Sequence, residues 1–214
     1  MTYPVSLLIA LGITATVLGG CAYSEINPEA AAEDVRRNTG YYELEGVEPG
    51  EARLVMRASG AGFPVSFSVS TDAQSCQGLK NVGKAANTGH GVVYPWIARM
   101  TQRSSGTEPY LVYDAQPEQP IQVQGYGMWS SVIAKGVPQE SGDCGPLTVR
   151  FMPQGGHAYT VDYVWGTQNG RYICTLSVKD AIDRDNPVPV TTEPVTGCAV
   201  PATEKSWFNK LIGK

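Results

Sequence analysis

Basic charge, histidine and closely spaced cysteines are all scarce in this 214-residue chain, and each scarcity removes a class of function. Its 16 lysines and arginines stand against 20 aspartates and glutamates, a net charge of −4. Phosphate backbones are held by clustered cations, so nucleic acid is not an expected partner. The two histidines, His90 and His157, both in glycine-rich surroundings, are too few and too far apart to suggest a metal centre. No G-x-S-x-G elbow or S-x-x-K pair offers an activated serine. No cysteine pair has the C-x₂₋₄-C spacing that lets a hairpin present two thiolates to zinc. No metal, cofactor or catalytic residue is therefore expected. The run Gly78 to Ala85 comes within one residue of a phosphate loop, but Ala85 stands where the magnesium-binding hydroxyl is needed, so it reads as an ordinary loop. Asp180, Asp183 and Asp185 are spaced unlike a calcium loop and interrupted by Arg184, and read as a solvated acidic turn. His157 reads as a solvated turn residue.

The N-terminus carries the sharpest positive signal. Residues 1–24 hold no charged side chain, and Val5 to Leu18 form an apolar run of about 14 residues. A bilayer-spanning helix needs ~20, whereas a signal-peptide core is this short. Leu18-Gly19-Gly20-Cys21 follows at once and resembles the lipobox of bacterial lipoproteins, an aliphatic residue and two small ones before the cysteine that becomes the mature N-terminus. The pattern departs from the usual one in lacking a Lys or Arg near Met1. The resemblance implies cleavage before Cys21, acylation of its sulfur, and membrane lipid as its first partner. Ala22, in place of the aspartate that retains enteric-type lipoproteins at the inner membrane, implies the outer membrane of a Gram-negative host. Several acyl chains, at about 0.8 kcal/mol per buried methylene, hold a protein where one chain does not.

With Cys21 assigned to lipid, Cys76, Cys144, Cys174 and Cys198 remain, an even number in a compartment that permits disulfides. Three connectivities are open. The favoured one pairs Cys144 with Cys174, bracketing a compact meander, and Cys76 with Cys198, tying the late tail to an early loop.

Along the mature chain, Asn27-Pro28-Glu29 opens a short helix that Gly40 ends, with Glu33 and Arg37 four apart on one face. Having little apolar surface beyond alanines and Val35, it reads as a spacer. From about Glu51 the period becomes two. Val65, Phe67 and Val69 alternate with Ser66, Ser68 and Ser70, which are expected to meet water; Leu54, Met56 and Ala58 alternate with Arg53 and Arg57. Ile121 and Val123 continue the pattern, as do Leu147, Val149 and Phe151. Tyr159, Val161, Tyr163 and Trp165 lead to the hairpin signal Asn169-Gly170, which delivers Tyr172, Cys174, Leu176 and Val178 on one face. Residues 71–91 read as a long loop pinned by Cys76, and Pro95 assigns 92–100 to an edge strand. The proline-containing segment 183–196 reads as extended edge or linker.

The fold class expected is an all-β, antiparallel two-layer sandwich, immunoglobulin-like or transthyretin-like in appearance, with a short helix at each end. The division is 1–20 signal peptide, 21–45 lipidated N-terminus and spacer, 46–200 sandwich, and 201–214 a terminal amphipathic helix. In that last helix Trp207, Phe208, Leu211 and Ile212 share one face, a candidate contact for an envelope protein. The strand aromatics are expected to be core, leaving Trp96 and Trp129 freer for a sugar. The function expected is a structural or protein-binding module of the envelope, with a glycan-binding or cell-wall hydrolase accessory as the alternative.

Overall fold

The computed structural model describes residues 27–91, 94–130 and 141–200. Among them are the helices α1 (Pro28–Asn38) and α2 (Pro95–Ser105) and ten strands. The strands are β1 (Ala52–Ser59), β2 (Val65–Ser70), β3 (Lys80–Ala85), β4 (Leu111–Ala115), β5 (Ile121–Ser130), β6 (Ser141–Phe151), β7 (Ala158–Gln168), β8 (Arg171–Asp180), β9 (Val188–Pro189) and β10 (Glu193–Val195). They form two five-stranded sheets in the orders β4-β1-β7-β8-β9 and β10-β6-β5-β2-β3. The second sheet is wholly antiparallel. The first is mixed, because β1 runs parallel to β7 from Arg53↔Ala158 to Ser59↔Val164. A fully antiparallel sandwich was expected from local hairpin signals, which are silent about a parallel pair. Such a pair needs a long crossover, and here that crossover contains four strands of the other sheet.

The alternating apolar residues fill the space between the sheets. Leu54, Met56, Tyr159, Val161, Tyr163 and Trp165 from the mixed sheet meet Val65, Phe67, Val69, Ile121, Val123, Val149 and Phe151 from the antiparallel one. The large rings of β7 fit because β5 has glycine opposite them. A Cβ on Gly127 would lie 2.2 Å from Trp165 Cζ2, and one on Gly125 would lie 2.6 Å from Tyr163 Cδ2. The Tyr163 hydroxyl donates to the Cys144 carbonyl at 2.7 Å, and burial pushes its pKa well above the ordinary tyrosine value. Tyr172 departs from the expected core face: it stays 38% exposed and lies edge-on to Phe63, ring centroids 5.2 Å apart.

The outer faces differ from the sequence reading. Ser66, Ser68 and Ser70 are closed from water, with Gln122, Gln124 and Thr148 beside them. Strict alternation predicts a solvated face only when nothing folds over it. Here the segment after β2 does so: Gln122 Nε2 donates to the carbonyls of Asp72 and Gln74, both at 2.8 Å, and its Oε1 accepts from Cys76 N at 2.9 Å. Gln124 Nε2 donates to Thr148 Oγ1 at 3.2 Å. These polar groups are buried because they are paired. On the mixed sheet, Val55 is fully buried against Leu44, Ala158 and Ala181. Leu44 lies in a 3-10 turn, Tyr41–Leu44, so the packed domain begins before residue 46, inside the segment assigned to a spacer.

Two loops of the sequence reading contain regular structure. Residues 71–91 include β3, which pairs with β2 through a bulge between Phe67 and Ser68. Of the segment assigned to an edge strand, the described residues 94–100 open a helix instead, since α2 begins at Pro95 and ends at Gly106, whose left-handed conformation lets its N–H reach the Gln102 carbonyl. Proline suits the first turn of a helix, where its missing N–H has no partner to lose, as well as it suits a sheet edge. The segment 183–196 opens with a turn at 183–186 and then carries two short edge strands, β9 beside β8 and β10 beside β6. No described helix is long and apolar enough to cross a membrane.

Candidate functional site

The cysteines lie where they can bond. Cys76 and Cys198 are joined, with Cα atoms 5.0 Å apart, and Cys144 and Cys174 are joined, with Cα atoms 6.0 Å apart. The second bridge ties β6 of one sheet to β8 of the other. Cys21 and the apolar group Trp207, Phe208, Leu211 and Ile212 lie outside the described residues.

The helix α1 is fastened to the domain instead of standing free as a spacer. Asn27 caps it by accepting from the N–H groups of Glu29 and Ala30, and Glu33 binds Arg37 at 2.7 Å and Arg36 at 3.1 Å. The Tyr42 hydroxyl also donates to Glu33. Hydrogen bonds from Arg37, Tyr42 and Arg36 hold the Glu33 carboxyl at a pKa of about 2. On the buried side, Asp34 accepts from Gly91 N and pairs with His90 Nδ1, both at 3.0 Å. Asn38 Nδ2 donates to its other oxygen at 3.1 Å. A carboxylate has no proton to give, so Nδ1 of His90 carries the hydrogen. The opposite nitrogen, Nε2, is closed from water and has no hydrogen-bond partner. Thr88 Oγ1 and Gln102 Nε2, in the same loop and the helix after it, are orphaned in the same way. Each such group costs roughly 1–3 kcal/mol.

His90 lines a cleft of about 580 Å³ on the outer face of the mixed sheet. One wall is the end of α1, with Val35, Asn38 and Thr39; the other is the loop from Ala86 to His90. The floor is a charged row of facing residues, Arg57 on β1, Asp162 on β7, and Ser177 and Lys179 on β8. Asp162 is its hub. Arg57 pairs with both of its oxygens, Lys179 Nζ lies 3.8 Å from Oδ2, and Thr160 Oγ1 donates to it at 3.4 Å. Arg57 also donates to the Thr39 carbonyl at 3.3 Å, which fixes the end of α1 over the floor. Its volume falls within the range of small-molecule clefts, and its lining mixes charged, amide, hydroxyl and apolar groups.

The remaining residues weighed in the sequence are placed as follows. His157 is half-buried and bonded to Asp180 Oδ2 through Nδ1 at 2.6 Å, so the solvated-turn reading is corrected. Asp183 accepts from Asp185 N and Asn186 Nδ2, and Asp185 accepts from the Tyr41 hydroxyl at 2.6 Å. Arg184 pairs with Glu45 and lies 4.3 Å above the Tyr41 ring. These acids knit the last loop to the 3-10 turn. Trp129 packs on Tyr172 with centroids 5.0 Å apart, whereas Trp96 is strongly exposed on α2. Neither Asp34 nor the pairing of His90 is marked in the sequence, because a lone acid on a helix without an apolar stripe gives no signal of what it faces. No protein-family model and no curated protein sequence matches this chain.

Proposed function

We propose that this chain is a lipid-anchored protein of the bacterial envelope, acylated on Cys21, whose sandwich acts as a binding module through the cleft beside His90. The observation that carries the binding role is the cleft with the charged floor of Arg57, Asp162 and Lys179, lined also by His90, whose buried Nε2 has no partner. With Nδ1 held by the Asp34 carboxylate, the ring is fixed in orientation and Nε2 is the nitrogen left over. Two cross-links between distant segments suit an oxidising compartment, which supports export. The lipobox-like residues supply the anchor, and the outer membrane of a Gram-negative host is its expected location.

The fastening of α1 sets the height of the module. Only six residues, 22–27, separate Cys21 from the first turn of α1. At roughly 3.3–3.6 Å per residue they span at most about 20 Å. The domain is thus held close to the bilayer, which suits contact with neighbouring envelope components better than reach across the periplasm.

A glycan or cell-wall fragment is the second reading, favoured by the amide and hydroxyl groups of Asn38, Asn87, Ser59 and Ser177 in the cleft lining. Titrating muropeptides into the full chain and following amide shifts tests it. Shifts confined to residues 86–91 and the β7–β8 floor, weakened about tenfold in Lys179→Ala with the melting temperature kept, are expected of cleft binding. Shifts elsewhere, or none, leave the anchored module with a protein ligand. Binding of candidate envelope proteins that Lys179→Ala does not weaken overturns the cleft as its site.

A further inference from the structure

On α2, Trp96, Arg99, Met100 and Arg103 fall at i, i+3, i+4 and i+7, one stripe of a helix. All four are exposed, Trp96 by 59% and Met100 by 58%, while Ala98 and Gln102 face the domain. Tyr94, just before the helix, is exposed by 45%. Of the other exposed large apolar side chains, Val35 lies alone on α1, Tyr42 in the 3-10 turn and the rest on strands and loops, so α2 is the described α-helix that gathers two of them on one stripe. The helix Pro95–Ser105 contains no acidic residue, and neither of its arginines has an acidic partner among the described residues. An aromatic and a thioether between two cations match the boundary of an anionic bilayer, where tryptophan sits at headgroup depth and arginine meets phosphate.

Chain geometry limits how far this stripe can lie from the anchor. Gly91 N is bonded to Asp34 at 3.0 Å. From Asp34 back to Asn27 is seven residues of helix, about 10 Å at 1.5 Å per residue. From Gly91 to Tyr94 is three residues, at most about 11 Å. The start of α2 therefore lies within about 25 Å of the end of the membrane tether, at the summed upper bound of these steps. We infer that α2 lies on the lipid surface into which the Cys21 acyl chains insert, with Trp96 and Met100 at the headgroup boundary and Arg99 and Arg103 on anionic headgroups. This contact rests on the anchored reading for its location, and fixes which face of the sandwich looks at the membrane. It leaves the cleft on the outer face of the mixed sheet for a ligand.

The test is tryptophan quenching in the full mature protein, reconstituted into vesicles of phosphatidylethanolamine and phosphatidylglycerol (3:1) with brominated acyl chains. Trp96→Phe isolates the contribution of α2. The expected result is quenching of the wild type that falls by at least half in Trp96→Phe, and that weakens in Arg99→Glu/Arg103→Glu. Equal quenching of wild type and Trp96→Phe overturns the inference, as does a Trp96 signal lost only on adding a protein partner. If the mass of the N-terminus shows no lipid, the anchored reading falls on its own. The same vesicles added to the unlipidated chain then decide the helix contact: Trp96-dependent quenching retains it, and none removes it.

Discussion

Asp34 and His90 are 56 residues apart in the chain and meet at 3.0 Å, both closed from water. This pair joins α1 to the loop that precedes α2, and so links the N-terminal helix to one wall of the cleft. A variant lacking one partner leaves the other buried without its bond. Asp34→Ala and His90→Ala should each lower unfolding free energy by about 2 kcal/mol. Their double variant should show a coupling of about 1 kcal/mol in urea denaturation. Additive losses would mean that the two side chains do not support each other.

Gly127 faces the indole of Trp165 across the core, where a Cβ would stand 2.2 Å from Cζ2. Neither the ring nor the central strand β5 has room to yield. Gly127→Ala should cost about 1–3 kcal/mol, with a lower denaturation midpoint and an unchanged slope. Gly170→Ala, with nothing within 4 Å of the added carbon but a φ of 73°, should lose less, and by backbone strain alone.

The two disulfides close loops of very different length, 122 residues for Cys76–Cys198 and 30 for Cys144–Cys174. The entropy of the unfolded chain makes the longer closure worth about 5 kcal/mol and the shorter about 4. Replacing each pair by serine and comparing denaturation midpoints checks the order. A greater loss from the Cys144–Cys174 pair would show that bridging the two sheets matters more than chain entropy.

Glu33 provides a pH signature of the N-terminal segment. Its carboxyl is held at about 2, below the ordinary 4.5, by hydrogen bonds from Arg37, Tyr42 and Arg36. The contribution of a depressed acid is complete above its unfolded pKa and is lost as pH falls through its folded one. The contacts of Glu33 should therefore be complete above about pH 4.5 and vanish toward pH 2. A carboxyl-carbon NMR titration should give a midpoint near 2, moved upward in Arg37→Gln; a midpoint near 4.5 in the wild type would mean that the network does not form.

Much of the sandwich could be read from alternation alone, because Leu54, Phe67, Val123, Val149 and Val161 are buried where a period of two puts them. The helix α1 carried its own cap and ion pair in the sequence. What escaped depends on long-range closure. Nothing local marks β1 and β7 as parallel neighbours, and Ser66 and Ser68 cannot announce that their face is covered. Pro95 satisfies a helix start and an edge strand equally, and its first neighbours do not decide between them. The cleft was the least legible part: its floor and walls come from three strands, a helix and a loop, and Arg57 and Asp162 become partners only through a pairing 105 residues long.

The account stands most directly on Cys21, since the proposed tether and envelope setting both rest on its acylation. Intact mass and N-terminal fragment analysis of the protein purified from its host's membranes tests this. The account predicts a mature chain beginning at Cys21 and carrying diacylglycerol on its sulfur. A chain that keeps residues 1–20, or one that begins elsewhere with an unmodified Cys21, would contradict it.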